Sequence, residues 1–388
     1  MNFPLKLRKY ALNSLLLIAS LLICLLIGEL ILQAFLNPVD YLEPKLIADD
    51  VIRWRIEPFS AGHDDWGYRN ESVPDSVDIV TIGDSQTYGA NVLKDNTWPV
   101  LLEKLLQERV YNLGLGGYGP IQYFHLLKEK AFTLNPSTVV AGFYYGNDLQ
   151  DAFLMASKYE YWNHLLSEEF YQDSIWSYPD LNVGRSAFLV EIRKLLLNRS
   201  ILYRLLRELL TNTIYATVKS LLGEADEITV LKNPKSGIKT AFAPPWQIQF
   251  IDQSVPAISE GLRISLQMFQ EMNQLCIDKN IGFIVLLIPT KESVFTHHLL
   301  KRPELKHART IKYIISNEAA INSQVKNHFD VHHINFIDLL PVFQAAIDST
   351  VIYPPSIDAH PNKLGHSIIA DTLGKYLGYV ESYSSEQN

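Results

Sequence analysis

The chain has 388 residues, 47% of them hydrophobic and 20% charged, which is globular composition with room for one large domain and additions to it. A net charge of −8 gives the chain as a whole no electrostatic pull toward nucleic acid or an anionic surface. Its two cysteines, Cys24 and Cys276, exclude a disulfide framework and a four-thiolate metal site, and each reads as a small buried hydrophobe.

In chain order, Lys6, Arg8 and Lys9 precede an almost unbroken apolar run from Ala11 to Leu36. A run of about 25 residues can span a bilayer with some tilt. Asn37-Pro38 ends it, because proline cannot continue a helix. Basic residues ahead of the run place the N-terminus in the cytoplasm and the remainder outside. A cleaved signal peptide would have a shorter apolar core and a small-x-small site before Asn37, so the expectation is an uncleaved single-pass anchor. Glu29 lies inside the run. Such an acid either faces a partner helix, or is protonated or reaches the interface beside Gln33.

Residues 37–75, rich in Pro, Asp and aromatics, show no period and read as a linker. Beyond them apolar runs alternate with helical patterns. Strands are expected at Val77–Ile82, Val110–Leu113, Thr138–Tyr144, Ile281–Ile288 and Ile334–Ile337. Helices are expected at Thr97–Gln107, with Thr97 as N-cap, and at Pro120–Phe132, Ser259–Lys279 and Thr310–Asn327, with a last one starting near Asn362. Strands buried on both faces and alternating with helices imply an α/β fold, a three-layer α/β/α sandwich around a five-stranded parallel sheet. The expected division is an anchor at 1–36, a linker at 37–75, a catalytic domain at 76–380 and a polar tail at 381–388. An insert at about 149–256 interrupts the domain. It is aromatic-rich at first (Tyr159, Tyr161, Trp162, Phe170, Tyr171, Trp176, Tyr178) and then helical from about Ser186 to Leu222. Its aromatics are expected to pack on the core; the alternatives are a substrate wall or a surface returning toward the membrane.

Polar groups cluster at the carboxyl ends of the strands, where ligands bind in such sheets. Gly83-Asp84-Ser85-Gln86-Thr87-Tyr88-Gly89 follows the first strand and puts a serine hydroxyl at a strand-to-helix turn. Asn112-Leu113-Gly114-Leu115-Gly116-Gly117 follows the second, with glycines that let the main chain approach a substrate. Gly146-Asn147-Asp148 follows the third and offers a side-chain amide to an oxyanion. Asp358-Ala359-His360-Pro361-Asn362 precedes the last helix and pairs an imidazole with an acid that can hold its tautomer.

In order and spacing these blocks resemble those of the SGNH hydrolases, the GDSL-like esterases and lipases, over most of Val77–Leu377 apart from the insert. The resemblance implies a flavodoxin-like domain that hydrolyses or transfers acyl esters. It implies Ser85 as nucleophile and first oxyanion amide, Gly117 as the second amide, Asn147 as the amide donor and His360 as the base, with Asp358 orienting it. Two departures stand out. The third block usually reads Gly-x-Asn-Asp, and the acid usually lies three residues before the histidine rather than two. Trp66-Gly67-Tyr68-Arg69 and Pro289-Thr290-Lys291-Glu292 are similar to segments of the membrane-anchored branch and of SGNH proteins associated with polysaccharide O-acetylation. Lys291 is thereby a candidate substrate contact, against the alternative of a solvated loop residue.

The expectation is therefore an extracytoplasmic esterase or O-acyltransferase without cofactor or metal, acting on an acyl ester, with cell-envelope polysaccharide as first candidate and no nucleic acid as partner. A different reading is a non-catalytic SGNH-fold scaffold in a membrane complex, with a membrane protein as its partner. The adjacent pairs His297-His298 and His332-His333 do not readily give two ligands to one metal, and a metal-dependent phosphoesterase built on Gly146-Asn147-Asp148 lacks further ligands.

Overall fold

The structure is a computed structural model and describes residues 5–171, 188–210, 227–233 and 238–378. Five strands, β3 (Ile79–Ile82), β4 (Val110–Asn112), β5 (Thr138–Tyr144), β8 (Gly282–Ile288) and β9 (Asn335–Asp338), form a wholly parallel sheet in the order β4-β3-β5-β8-β9. Successive strand residues point to opposite faces, so each strand feeds two cores. Val80, Val139, Phe143, Val285 and Leu287 face the layer of helices Pro120–Glu129, Pro256–Asp278 and Ala308–Val331. Ile79, Val140, Ile284 and Leu286 face the opposite layer, which helices Trp98–Leu106, Leu340–Ile347 and Lys363–Tyr376 build. The result is a three-layer α/β/α sandwich.

The N-terminal helix Leu5–Phe35 stands apart from both cores. Its stretch Leu12–Phe35 is long and apolar enough to cross a membrane, and none of that stretch is buried. Cys24 lies exposed on it, contrary to the buried position expected; only Cys276 is interior.

Residues 37–75 are not a linker. Asn37 caps the short helix Pro38–Tyr41, and β1 (Leu46–Asp49) pairs antiparallel with β2 (Arg53–Ile56). Ile52, Ile56 and Tyr68 join the main core. The buried Arg69 guanidinium meets Asp40 at 2.6 Å and donates to the carbonyls of Gly89 (2.7 Å) and Val92 (2.9 Å). A buried charge is tolerated only when paired and hydrogen-bonded, and here it fastens this segment to the loop that follows the first catalytic block. The segment shows no period because its strands are four residues long and its core contacts are scattered.

The insert leaves after β5. Trp162 is buried and its indole donates to Val51 O (2.6 Å), while Phe170 packs edge-on against Phe153. Trp176 and Tyr178 lie outside the described residues. The long helix expected here is divided: Phe188–Arg199 is one helix and 201–210 another, with Ser200 between them, and residues 211–222 lie outside the described residues. A second hairpin, β6 (Thr229–Asn233) with β7 (Ile238–Phe242), adds Leu231 and Phe242 to the second core.

Candidate active site

The first block makes a tight corner. β3 ends at Ile82, and helix Ser85–Tyr88 starts three residues later with Asp84 as N-cap, its Oδ1 accepting from Gln86 N (2.8 Å). Gly83 is required here. A Cβ on it would lie 2.1 Å from Thr87 Oγ1, inside any tolerable contact. Asp84 is fully buried, and burial pushes its carboxyl up to about 6.

Ser85 projects from this corner toward the loop before the last helix. Its Oγ donates to His360 Nε2 at 2.8 Å, and His360 Nδ1 donates to Asp358 Oδ1 at 2.7 Å. That order of donors fixes the imidazole with its proton on Nδ1 and a lone pair on Nε2. The two-residue spacing suffices because Asp358 Oδ1 also accepts His360 N (2.9 Å), so one carboxylate oxygen holds both backbone and ring. Asn91 donates to the other oxygen. Burial works against the Asp358 charge, but the hydrogen bonds from His360 and Asn91 outweigh it and hold the carboxyl at about 2.

Gly117 lines the same cavity as Ser85 with φ +76°, and a Cβ on it would meet the Trp54 ring at 2.8 Å. Asn147 also lines the cavity. Its Nδ2 donates to Asp151 Oδ2 at 2.6 Å, which leaves its second N–H for another acceptor. Asp151 is buried and pushed up to about 7 by burial, against the lowering effect of the Asn147 bond and of Arg53. Sequence reasoning did not single out Asp151. The signal was present, since Asn147 and Asp151 are four residues apart at the start of one helix and so share a face.

Lys291 is not a solvated loop residue, and it belongs to the lining of the cavity that holds Ser85 and His360. It is 1% exposed, and its ammonium donates to the carbonyls of Ser356 (2.7 Å), Asp358 (2.9 Å) and Ala241 (3.2 Å). Desolvation drives its pKa down to about 8, opposed by Glu292 and Asp358. Its own turn is pinned from behind. Thr290 N and Ser293 Oγ donate to Glu318 at 3.0 and 2.5 Å, and Thr290 Oγ1 donates to the same carboxylate. The β6–β7 hairpin adds Thr240 Oγ1 to Pro354 O (3.1 Å). A buried ammonium needs acceptors for all of its protons, and backbone carbonyls of the 354–358 loop supply them. Lys291 therefore positions the loop that carries Asp358 and His360.

The cavity above Ser85 has a volume of about 910 Å³ and includes Trp54, Phe242, Trp246 and Phe250 in its wall. Trp246 is 55% exposed, with the Phe250 ring 4.4 Å away. Of the other histidines, His366 is buried and accepts from Trp98 N (3.1 Å), and burial takes it down to about 3. His297 faces Lys301 and His298 faces Asp348.

No family model and no curated protein matches this sequence. Among solved structures, the chain is similar to a GDSL-like lipase from Bacteroides thetaiotaomicron, with 11% identity, a TM-score of 0.35, and 79% of this chain and 91% of that one covered. It is similar to an acetyl xylan esterase at 11% identity and TM-score 0.38, covering 77% and 99%. It is also similar to an acetyl-xylooligosaccharide esterase from a Geobacillus at 12% identity and TM-score 0.38, covering 80% and 97%.

Proposed function

We propose that this chain is a serine ester hydrolase or acyltransferase of the SGNH type, anchored in a membrane by its N-terminal helix with the catalytic domain on the extracytoplasmic side. The observation that carries the chemistry is the unbroken relay from Ser85 Oγ through His360 to Asp358 at 2.8 and 2.7 Å, opening on a cavity. His360 Nε2 takes the serine proton as Ser85 attacks the ester carbonyl. The amides of Ser85 and Gly117 and the free N–H of Asn147 receive the developing oxyanion. His360 returns the proton to the leaving alcohol, and an acyl group remains on Ser85. Water or a sugar hydroxyl, deprotonated by His360, then takes the acyl group and frees the serine.

The substrate side rests on two features. Aromatic faces such as Trp54 and Trp246 suit the apolar faces of sugar rings. The basic residues before the apolar helix favour an outward-facing domain. Together they favour acyl esters, acetyl first, on cell-envelope polysaccharide.

The test is hydrolysis of a short acyl ester, with fluorophosphonate labelling, by the full chain and its Ser85→Ala variant. Activity and labelling that vanish together with Ser85 support the mechanism. Activity that survives the substitution overturns it. Neither activity nor labelling in a folded wild type favours a scaffold.

A further inference from the structure

The acid inside the apolar helix has a partner in its own chain. Glu29 accepts from Ser200 Oγ (2.7 Å), from Ile201 N (2.9 Å) and from Leu202 N (3.0 Å). Gln33 supports the joint, donating to Glu29 (2.7 Å) and to Arg199 O (3.2 Å). A side chain of the apolar helix thus caps the helix at 201–210, supplying the acceptor that the exposed amides of a helix start require. Gly28 beside it lies against Leu202, where a Cβ would make ordinary contact at 3.5 Å.

Helical spacing then sorts the rest of 201–210. Leu206, Leu209 and Leu210 share the face of Leu202, whereas Arg204, Arg207 and Glu208 lie opposite. The leucines are 44, 66 and 64% exposed. Arg204 reaches the other way, to Glu43 at 2.6 Å, beyond the end of the apolar helix. Glu43 N in turn donates to Leu197 O (3.1 Å), which closes the joint. The face that meets Gly28 touches the apolar helix seven residues from its end at Phe35, about 10 Å along it at the helical rise. Amphipathic helices at membrane interfaces bury their apolar faces to about that depth, 5–10 Å. The segment 191–210 carries five basic residues against two acidic ones in a chain of net charge −8.

We propose that the helix 201–210 is a membrane-seated arm. It docks on the anchor through Glu29 and lays Leu206, Leu209 and Leu210 into the outer leaflet of the bilayer. The exposed leucines continue the apolar surface of the anchor, so one lipid phase covers both. This rests on the anchor reading above, and the experiment separates the two.

The full chain carrying Cys24→Ser is reconstituted into vesicles of phosphatidylcholine and phosphatidylglycerol. A polarity-sensitive fluorophore is placed on one introduced cysteine, at Leu210→Cys, Glu208→Cys or Leu22→Cys, and fluorophosphonate labelling of Ser85 verifies each fold. The expected result is that the probes at 22 and 210 lose most of their fluorescence to brominated lipid, while the probe at 208 yields to aqueous iodide. Adding Glu29→Leu should shift the probe at 210 toward iodide without moving the probe at 22. Lipid quenching at 22 but iodide quenching at 210 overturns the arm and leaves the anchor. Iodide quenching at both overturns the anchor and the arm with it. A probe at 210 shielded from both quenchers means that protein covers this face, and overturns a lipid partner.

Discussion

The two halves of the candidate relay are held in different ways. Ser85 sits on the sheet, at a corner that Gly83 and Asp84 shape and that Gly114 packs behind, with a Cβ on Gly114 only 2.5 Å from Tyr88 N. Asp358 and His360 sit on a loop, and what steadies that loop is a cation beneath it and a hairpin beside it. The nucleophile is placed by packing, so damage there is damage to the fold. The base is placed by directed hydrogen bonds, so damage there can stay local.

The largest effect expected is from Ser85→Ala or His360→Ala, each lowering kcat/KM of ester hydrolysis by roughly 10³-fold or more. Members of one relay act as a unit, so the double variant should lose little beyond either single one. Steady-state assays of all three check this, and additive losses would break the relay.

Next come two substitutions that should fail differently. Gly83→Ala forces a methyl against Thr87 and should cost about 1–3 kcal/mol of stability, read as a fall in Tm by calorimetry. Lys291→Met removes the donor from two loop carbonyls and from Ala241 O on β7. We expect it to lower kcat by about 10- to 100-fold, as loss of a supporting shell does, while Tm moves less than in Gly83→Ala. Equal falls in Tm would erase the distinction drawn here.

A smaller effect sharpens the same contrast with pH. Burial depresses Lys291 from 10.5 to about 8. Between those values the unfolded chain binds a proton that the folded chain does not, so this group's contribution to stability rises with pH in that window. The neutral amine also has one donor fewer for the loop. Activity should therefore decline above about pH 8 while stability does not, which a pH–rate profile beside a pH–Tm series would show. The smallest change is expected from Asn91→Ala. It removes one donor to Asp358, worth about 1.5–3 kcal/mol for a charged acceptor when buried and less at this exposed position, so a several-fold loss of kcat is the outcome to look for.

Much of the sheet was legible in the sequence because each central strand is an apolar run with a glycine or proline within two residues of its end. β5 falls on the residues expected, and β8 differs only at its first residue. The groups around Ser85 and His360 were legible because their chemistry needs particular residue types in a particular order. What escaped was anything decided by burial at a distance. Lys291 reads as a polar loop residue until the carbonyls of Ala241, Ser356 and Asp358 close around it. β1 and β2 escaped because Arg53-Trp54-Arg55-Ile56 is too short and too charged to declare a strand, and because pairing with Leu46–Asp49 is what makes it one. Glu29 was visible as an oddity, but its partner lies 171 residues away.

The folded stub at 37–75 changes how far the catalytic domain can roam. A flexible tether of that length would have an end-to-end distance of about 35 Å, and its domain would sweep a hemisphere above its attachment point. With Asp40 paired to the buried Arg69 and Glu43 to Arg204, no such length of free chain remains. On the proposed anchoring, the cavity mouth would stay close to the membrane, and encounter would become a search in two dimensions rather than three. Substrate presented near that surface would be sampled by lateral diffusion, and substrate presented far from it would be out of reach however well it fits.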